Sequence, residues 1–167
     1  KMIYGGLINT NLVALAVKLH MPAVGISGID AQLAFCTKRK AKSLDFGYVG
    51  DIVLINSHIV KDLLLKDYVP IVSCLGADES GQILNINADS LATALAVAIG
   101  AHALIFATDT FGVFNGHGAG NYFKELSIGQ AKTLIQNKKI TDGMIPKIEN
   151  VEIALNGGVK NVQIVGA

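Results

Sequence analysis

The sequence predicts an α/β fold, in which helices cover a parallel or mixed sheet. Three observations predict it: 51% of the 167 residues are hydrophobic, only 16% are charged, and glycine occurs 18 times. Charged residues make up about 25% of ordinary globular domains, so this composition is typical of strands that are buried on both faces and joined by tight turns. Helical and strand periodicity also alternate along the whole chain, which is the pattern of this fold class.

The composition also argues against several classes of function. Lys and Arg number 14 against 13 Asp and Glu, so no long-range field would attract nucleic acid or an anionic membrane. The first residues lack the apolar core of a signal peptide. The apolar stretch Leu91–Ala107 is interrupted by Gly100 and His102, which disfavours a membrane span. Cys36 and Cys74 are isolated, so we expect buried thiols in a reducing cytoplasm.

The first part of the chain predicts one helix and three strands. Asn9 or Thr10 can cap the helix, because both side chains accept hydrogen bonds from free backbone N–H groups. One face of the helix is apolar and is expected to be buried; it carries Leu12, Leu15, Ala16 and Leu19. The strands follow at 22–27, 32–37 and 48–55. The basic stretch 38–43 joins the last two strands and is typical of a solvated loop.

The middle of the chain predicts a helix, a strand and a hairpin. Asn56–Ser57 can cap a helix that runs through Leu65. Residues 69–74 form a short apolar run that is typical of a buried strand. Because Asp, Ser and Gly are concentrated in 75–81, we expect a turn there and a hairpin return at 82–85.

The last part of the chain alternates helices and strands again. Asp89–Ser90 opens a helix whose inward face carries Leu91, Leu95 and Ile99. The remaining elements are a strand at 103–107, a loop at 112–122, a helix from a Ser127 cap to about Gln136, a helix capped by Thr141–Asp142 and stopped by Gly157–Gly158, and a strand at 162–165.

The motifs of several enzyme classes are absent from the sequence. The histidines are scattered without metal-ligand spacing, so no metal site is predicted. A Gly-x-Ser-x-Gly elbow and a Walker A loop are both missing, which disfavours hydrolases and P-loop proteins. Gly116–Gly120 is a partial dinucleotide fingerprint that follows a loop rather than a strand. A nicotinamide-dependent oxidoreductase is an alternative that depends on this segment alone.

Three polar segments lie where α/β proteins bind ligands. Asn85–Asp89 packs two amides and one carboxylate into a strand-to-helix junction, where backbone N–H groups favour an anion. Thr108–Val113 places an acid and two hydroxyl groups at the carboxyl end of a strand. Thr141–Lys147 puts a lysine one turn inside a helix start. Each segment also has a structural interpretation: a helix cap, a polar turn and a surface lysine, respectively.

Together these segments resemble the N-acetylglutamate kinases of the amino acid kinase family. The matching segments, in this order and spacing, are Asn85–Asp89 (Asn-Ile-Asn-Ala-Asp), Thr108–Val113 (Thr-Asp-x-x-Gly-Val) and Asp142–Lys147 (Asp-Gly-Met-Ile-Pro-Lys). Val24–Asp30 and Gly47–Gly50 also match. The resemblance covers nearly the whole chain and corresponds to the carboxyl-terminal two-thirds of such kinases.

The resemblance implies a three-layer αβα sandwich with a mainly parallel central sheet, incomplete at its amino terminus. It implies one contiguous piece of a kinase domain, with residues 1–90 in the substrate-binding half and residues 91–167 in the nucleotide-binding half. Such kinases phosphorylate the side-chain carboxylate of N-acetylglutamate in arginine biosynthesis, using ATP with Mg²⁺ bound through the nucleotide. A cytoplasmic homodimer or higher homo-oligomer is therefore expected.

The resemblance also implies a role for individual residues. Lys147 would stabilise the leaving group as a catalytic residue, and Asp89 would orient the catalytic lysines. Asn85 and Asn87 would bind the acylamino acid. The residues implied to border the nucleotide are Asp109, Thr110, Phe111, Gly112, Val113, Phe114, Lys139, Ile140 and Thr141.

The chain departs from the family pattern at its beginning. The family opens with a strand and a Lys-x-Gly-Gly phosphate loop, and neither occurs here, where residue 1 is Lys. We therefore expect the chain as given to be incomplete and inactive alone, since losing a phosphate clamp commonly costs roughly 10²–10³ in rate. The alternative is a non-catalytic or regulatory homologue that keeps the fold. Asn115–Asn121 is also more glycine-rich than the short acidic turn usual there.

Overall fold

The computed structural model describes residues 2–40, 45–109, 112–115, 122–140 and 143–166. The chain forms two compact units, Lys1–Ile99 and Gly100–Ala167. Helices and strands alternate in both units, which confirms the predicted α/β class. No helix within the described ranges has the length and apolar character that a membrane span requires.

The first unit contains most of the strands. A wide-turned helical segment, Met2–Ile8, leads into the first α-helix. The elements that follow in chain order are α1 (Asn9–Lys18), β1 (Ala23–Ser27), β2 (Ala34–Lys38), β3 (Gly50–Ile55), α2 (His58–Leu65), β4 (Val69–Ser73), β5 (Leu75–Ala77), β6 (Ile83–Asn85) and α3 (Ala88–Ile99).

The second unit is smaller. Its elements are β7 (Ala103–Thr108), α4 (Ile128–Gln136), α5 (Met144–Asn156) and β8 (Asn161–Gly166). Ser127 caps α4 as predicted: its hydroxyl accepts from the Gln130 backbone while the Gln130 side chain accepts from the Ser127 backbone. Gly157 ends α5, and Gly158 follows with φ +97°, a conformation that favours glycine. Thr141 and Asp142 lie outside the described residues.

The described strands form three sheets rather than the single, mainly parallel sheet that was expected. β1 pairs with β4, and β7 pairs with β8, both in parallel. The third sheet has the order β3-β2-β5-β6, with β2–β3 and β5–β6 antiparallel and β2–β5 parallel. Both antiparallel pairs are joined by short connections, 39–49 and 78–82, and a parallel pair would need a crossover of a dozen or more residues.

The four-stranded sheet curls until its two edges meet. Val49, just before β3, pairs in parallel with Asn85 at the end of β6. Its interior is filled by small and aliphatic side chains, and Cys36 and Leu84 are completely buried there. Gly76 permits this curvature, because a Cβ atom at that position would lie 2.5 Å from the Cys36 Sγ atom.

The buried face of α1 differs from the prediction. Leu12, Leu15 and Leu19 are 45%, 51% and 60% exposed, whereas Asn9 and Ala16 are buried. The Asn9 amide donates hydrogen bonds to backbone carbonyls of both β1 and β4 and to the Ser73 hydroxyl; the carbonyls are those of Ile26 and Ile71. A buried amide must be hydrogen-bonded, so this polar anchor decides which side of α1 faces the sheet.

Two smaller expectations are corrected. Leu75–Ala77 was predicted as part of a turn, but it forms β5, because the β6 return lies close enough in sequence to pair with it. The turn itself is shorter, and Asp78 closes it by accepting hydrogen bonds from Ser80 and Gln82. Ser57 occupies the N-cap position of α2, yet its hydroxyl donates to the Ala98 carbonyl instead of capping the helix.

Candidate functional site

Asn85 occupies the end of β6 in the first unit. Its neighbours Leu84 and Ile86 are 0% and 2% exposed, whereas Asn85 itself is exposed. The period of a strand is two, so burying Leu84 and Ile86 turns the Asn85 amide outward. The Ile86 N–H donates to the Cys74 carbonyl, which fixes the chain as it leaves the strand. Asn85 is thus presented to solvent from a fixed backbone.

Asn87 and Asp89 begin α3. The Asn87 Oδ1 atom accepts hydrogen bonds from the Ser90 N–H (3.0 Å) and hydroxyl (3.2 Å). This is N-cap geometry, so Asn87 and not Asp89 caps α3, and the helix begins one residue before the predicted Asp89–Ser90 start. Asp89 lies half-buried in the first turn, where the helix dipole favours a carboxylate. The capping leaves the Asn87 NH₂ group for a further partner.

Lys147 is the fourth residue of α5 in the second unit. Its side chain is half-buried, and the Nζ atom lies 5.0 Å from the centre of the Phe106 ring. Phe106 is 4% exposed and belongs to the carboxyl-terminal half of β7. Asp109 follows that strand directly, and the Thr108 hydroxyl donates to its Oδ1 atom (3.2 Å). A cation near a helix start and an acid after a strand thus belong to one unit.

Residues predicted to border the nucleotide differ in their surroundings. Val113 and Ile140 are 8% and 4% exposed and pack into the core of the second unit, so their side chains offer little surface to a ligand. Phe114 is half-exposed and contacts Tyr122 edge to face, with ring centres 6.1 Å apart. Lys139 is exposed. Thr110, Phe111 and Thr141 lie outside the described residues, as does Gly116–Gly120.

Gly112 has a backbone conformation with φ +123°, which side chains rarely tolerate. It lines a groove of about 970 Å³ in the second unit. The groove is also lined by Val113, Ser127, Gln130, Gln163 and Ile164. Two of the predicted nucleotide-bordering residues therefore line a cavity that α4 and β8 complete, and no sequence motif predicted a contribution from those two elements.

A second cavity of about 330 Å³ lies in the first unit and is mainly apolar. Tyr4, Leu12, Val72, Leu91 and Leu95 are among its lining residues. None of the residues predicted to bind substrate lines it. Among the described residues, no three His, Cys, Asp or Glu side chains are grouped so that they could hold a metal ion.

Two groups in the first unit have shifted pKa values. Burial, with a smaller contribution from the negative charge of Asp51, raises the pKa of Cys36 to about 11, so the thiol stays protonated and unreactive. The pKa of Asp78 is lowered, mainly by the hydrogen bond from the Ser80 hydroxyl and further by the backbone N–H groups of Gln82 and Ser80.

Two partners of the predicted site were missed at the level of sequence. Phe106, which contacts Lys147, stands in an ordinary apolar strand, and no local signal distinguishes it from its neighbours. Tyr48, whose carbonyl accepts from the Asn85 N–H (2.7 Å), is 37 residues away along the chain. Contacts of this kind depend on the folded chain, so local patterns do not reveal them.

Relatives of this chain carry names that agree with the motifs. The model of the Amino acid kinase family matches residues 1–166. The chain is 39% identical to acetylglutamate kinases from Hydrogenobaculum sp. (strain Y04AAS1) and Geobacillus sp. (strain WCH70), over 99% of its length in both cases. The alignments cover 58% and 62% of these two relatives. The chain therefore spans less than two thirds of the length of the curated relatives that it matches.

Solved structures agree in fold. The crystal structure of smu.665 from Streptococcus mutans UA159 has a TM-score of 0.85 and 30% identity, and the match covers 99% of this chain and 68% of that one. An N-acetylglutamate synthase from Neisseria gonorrhoeae, solved with coenzyme A and N-acetyl-glutamate, reaches the same TM-score at 21% identity, over 99% of this chain and 37% of that one. This second likeness shows the fold alone. The resemblance predicted from the motifs is confirmed, and the chain belongs to the amino acid kinase family.

Proposed function

We propose that the protein takes part in ATP-dependent phosphorylation of the side-chain carboxylate of N-acetylglutamate, the step that activates this compound in arginine biosynthesis. The observation that carries the proposal is the position of Lys147, a half-buried ammonium near the start of α5 and against the carboxyl-terminal half of β7. The 39% identity to proteins named acetylglutamate kinase supports the choice of substrate.

The chemistry requires little covalent help from the protein. The substrate carboxylate is already ionised at neutral pH, so no general base is needed to generate the nucleophile. A carboxylate oxygen forms the new bond to the γ-phosphorus, the bond from that phosphorus to the β,γ-bridging oxygen breaks, and ADP leaves with that electron pair. The difficulty lies in bringing one anion up to another, and catalysis therefore depends on positive groups and alignment.

Lys147 has the features that this chemistry requires. Its charge sits near the positive end of a helix and is partly removed from water, which strengthens its attraction to a phosphate. We assign Lys147 to the leaving-group side of the transferred phosphoryl group, where it would stabilise the negative charge that develops on the bridging oxygen. Packing on the Phe106 ring limits where the ammonium can go, and a preorganised cation stabilises a transition state better than a mobile one.

The first unit supplies the proposed acceptor site. We assign Asn85 to binding of the acylamino acid, because its outward amide can both donate to a carboxylate and accept from an amide N–H. The Asn87 oxygen is occupied by Ser90, so its NH₂ group is the part assigned to the substrate. Asp89 is assigned the role of orienting catalytic lysines, as in the kinases that the motifs resemble.

The second unit supplies the proposed nucleotide site. The cation of Lys147, the start of α5 and the glycine-only backbone of Gly112 fit a polyphosphate, since each admits or attracts anionic oxygens. Asp109, Phe114 and Lys139 are exposed and available to border the nucleotide. Backbone contacts are assigned to the two buried residues, Val113 and Ile140. Thr110, Phe111 and Thr141 are assigned from the motif alone. Mg²⁺ held on the phosphate oxygens would neutralise charge during transfer.

We also propose a domain organisation and an oligomeric state for the protein. We assign residues 1–90 to the substrate-binding half and residues 91–167 to the nucleotide-binding half of a kinase domain. Homodimers or larger homo-oligomers are proposed as well. Large exposed apolar side chains along the first helices support self-association, among them those of Met2, Ile3, Leu7 and Val17. Sedimentation of the purified protein measures the oligomeric state.

The test of the proposed function is formation of an acyl phosphate. The protein as its gene encodes it is incubated with MgATP and N-acetylglutamate, and the product is trapped with hydroxylamine as a hydroxamate. We expect hydroxamate with N-acetylglutamate and none with N-acetylaspartate, which is one methylene shorter. Binding of both substrates without hydroxamate would favour a non-catalytic or regulatory homologue. Stabilisation by NADH and not by MgATP would favour the oxidoreductase.

A further inference from the structure

The backbone of Asn85 is held from both sides. On one side it pairs with Leu75 of β5 in the antiparallel β5–β6 ladder. On the other side it forms the parallel bridge to Val49, and its N–H donates to the Tyr48 carbonyl at 2.7 Å. Most residues at the end of a short edge strand would have one free side. Here the segment Tyr48–Gly50 closes the four-stranded sheet at the residue proposed to bind the acylamino acid.

Gly50 is what allows the two edges to approach. A Cβ atom at Gly50 would lie 2.7 Å from the Leu84 Cβ atom and 3.1 Å from its Cδ1 atom. Contacts under 3.0 Å force atoms to move, and Leu84 is completely buried and cannot move outward. Gly50 needs no unusual dihedral angle, so its role here is close packing rather than backbone freedom.

The packing of Gly50 on Leu84 also fixes the register of β6. Side chains alternate between the two faces of a strand, so a slip by one residue would turn Leu84 outward and Asn85 into the apolar interior. We propose that Gly50 is a positioning residue, which acts through the Tyr48–Asn85 contact to hold the Asn85 amide where the acylamino acid binds. This inference rests on the proposed function.

The hairpin that carries Tyr48–Gly50 is itself held firmly. Arg39 donates from its Nε atom to both carboxylate oxygens of Asp51 (2.9 and 3.2 Å), and its guanidinium lies 5.8 Å from the centre of the Phe46 ring. The Arg39 backbone N–H donates to the Val49 carbonyl at 2.8 Å. This ion pair, on the solvent side of the hairpin, therefore supports the strand segment that closes on Asn85.

The test compares Gly50→Ala with Val60→Ala. Val60 is buried on α2, which packs on β4, so its truncation destabilises the same unit without inserting an atom between β3 and β6. For Gly50→Ala we expect the Kd and KM for N-acetylglutamate to rise roughly tenfold or more, since small misplacements of a binding group have such effects. The KM for ATP should stay unchanged. Val60→Ala should leave all three constants near the wild-type values.

Amide hydrogen exchange of Asn85 gives a second readout that needs no catalysis. Gly50→Ala should speed exchange at the Asn85 N–H more than at other amides of the sheet, because the Tyr48 carbonyl is displaced. If Gly50→Ala does not fold, Asp51→Ala replaces it. That substitution removes an exposed ion pair and leaves the core intact, and we expect a smaller rise in the KM for N-acetylglutamate, about threefold, together with faster exchange at Asn85.

The outcomes separate this inference from the proposed function. If the wild-type protein does not bind N-acetylglutamate, the proposed function fails and the inference fails with it. If the wild type binds but Gly50→Ala binds equally well, or Val60→Ala weakens binding as much, the positioning role alone is overturned. If Gly50→Ala does not fold, unchanged binding by Asp51→Ala overturns that role. A selective loss of N-acetylglutamate binding in Gly50→Ala or Asp51→Ala supports both the positioning role and the proposed function.

Discussion

The ammonium of Lys147 lies 5.0 Å from the centre of the Phe106 ring, so a cation at the start of α5 rests on an aromatic face supplied by β7. Such contacts are worth about 0.5 to 2 kcal/mol. Because the ring is buried and the lysine half-buried, the charge is directed by packing and not by solvent alone. Lys147 of α5 and Phe106 of β7 are 41 residues apart along the chain, and together they form one positioned cation.

Replacement of Lys147 by Ala is expected to lower kcat much more than it raises the KM for either substrate. A cation that acts mainly on the developing charge of the leaving group contributes to kcat, and its loss commonly costs roughly 10²–10³ in rate. Steady-state kinetics of the protein as its gene encodes it measures both constants. Lys160→Ala removes an exposed lysine of the same unit and serves as the control. Equal effects on kcat and KM would assign Lys147 to ground-state binding instead.

Replacement of Ala31 by Gly is expected to stabilise the protein. Ala31 has φ 50° and ψ 27°, a left-handed conformation that costs an L residue with a side chain about 1 kcal/mol or more. Glycine removes this strain but loses more entropy on folding, so we expect a net gain of about 0.5 kcal/mol in the free energy of unfolding. Urea denaturation measures it. Ala94→Gly, in the middle of α3, should instead destabilise by about 1 kcal/mol, and a loss at both positions would contradict the strain at Ala31.

Replacement of Asp78 by Asn is expected to lower the thermal stability of the protein at neutral pH and to reduce the dependence of that stability on acid. The pKa of folded Asp78 lies below its ordinary value of 3.8, because the Ser80 hydroxyl and the N–H groups of Ser80 and Gln82 donate to the carboxylate. The unfolded state therefore takes up the proton first as the pH falls. The stabilisation by this carboxylate is present above pH 3.8 and is lost as the pH falls through the folded pKa.

Thermal unfolding between pH 7 and pH 2.5 tests this linkage. The difference in Tm between the wild type and Asp78→Asn should be largest near neutrality and should shrink in acid. Ser80→Ala removes the hydroxyl donor and keeps the backbone donors. Its Tm at neutral pH should therefore lie between those of the wild type and Asp78→Asn. A difference that stays constant across the whole range would show that Asp78 is not the group that titrates.

Replacement of Thr93 by Val is expected to raise the free energy of unfolding by about 1 kcal/mol. Thr93 is 2% exposed, and its hydroxyl has no hydrogen-bond partner among the described residues. A buried hydroxyl without a partner keeps its desolvation cost, and a methyl group of similar shape removes that cost. Thr133→Val is the matched control, since the Thr133 hydroxyl donates to the Gly129 carbonyl at 3.0 Å on an exposed face. Urea denaturation should show a gain only at Thr93.

Elements with local signals were predicted well. The Ser127 cap of α4, the glycine stop after α5 and the return strand at 82–85 each depend on residues that lie within a few positions of one another. The motif from Asn85 to Asp89 was identified in the same way, but the sequence did not show which of its residues caps α3. Cap propensities of Asn and Asp are nearly equal, so only the folded geometry shows that Asn87 caps α3.

The sequence by itself determined the α/β class, the family and the residues that carry the proposed chemistry, because composition, periodicity and short motifs are local properties. Tertiary structure decided what those residues contact. The Asn9 amide selects the buried face of α1, Phe106 receives Lys147, and Tyr48 closes the sheet on Asn85. These contacts join residues that are 17 to 64 positions apart, and their geometry depends on close packing and on satisfying buried polar groups throughout each unit, which no short window of sequence contains.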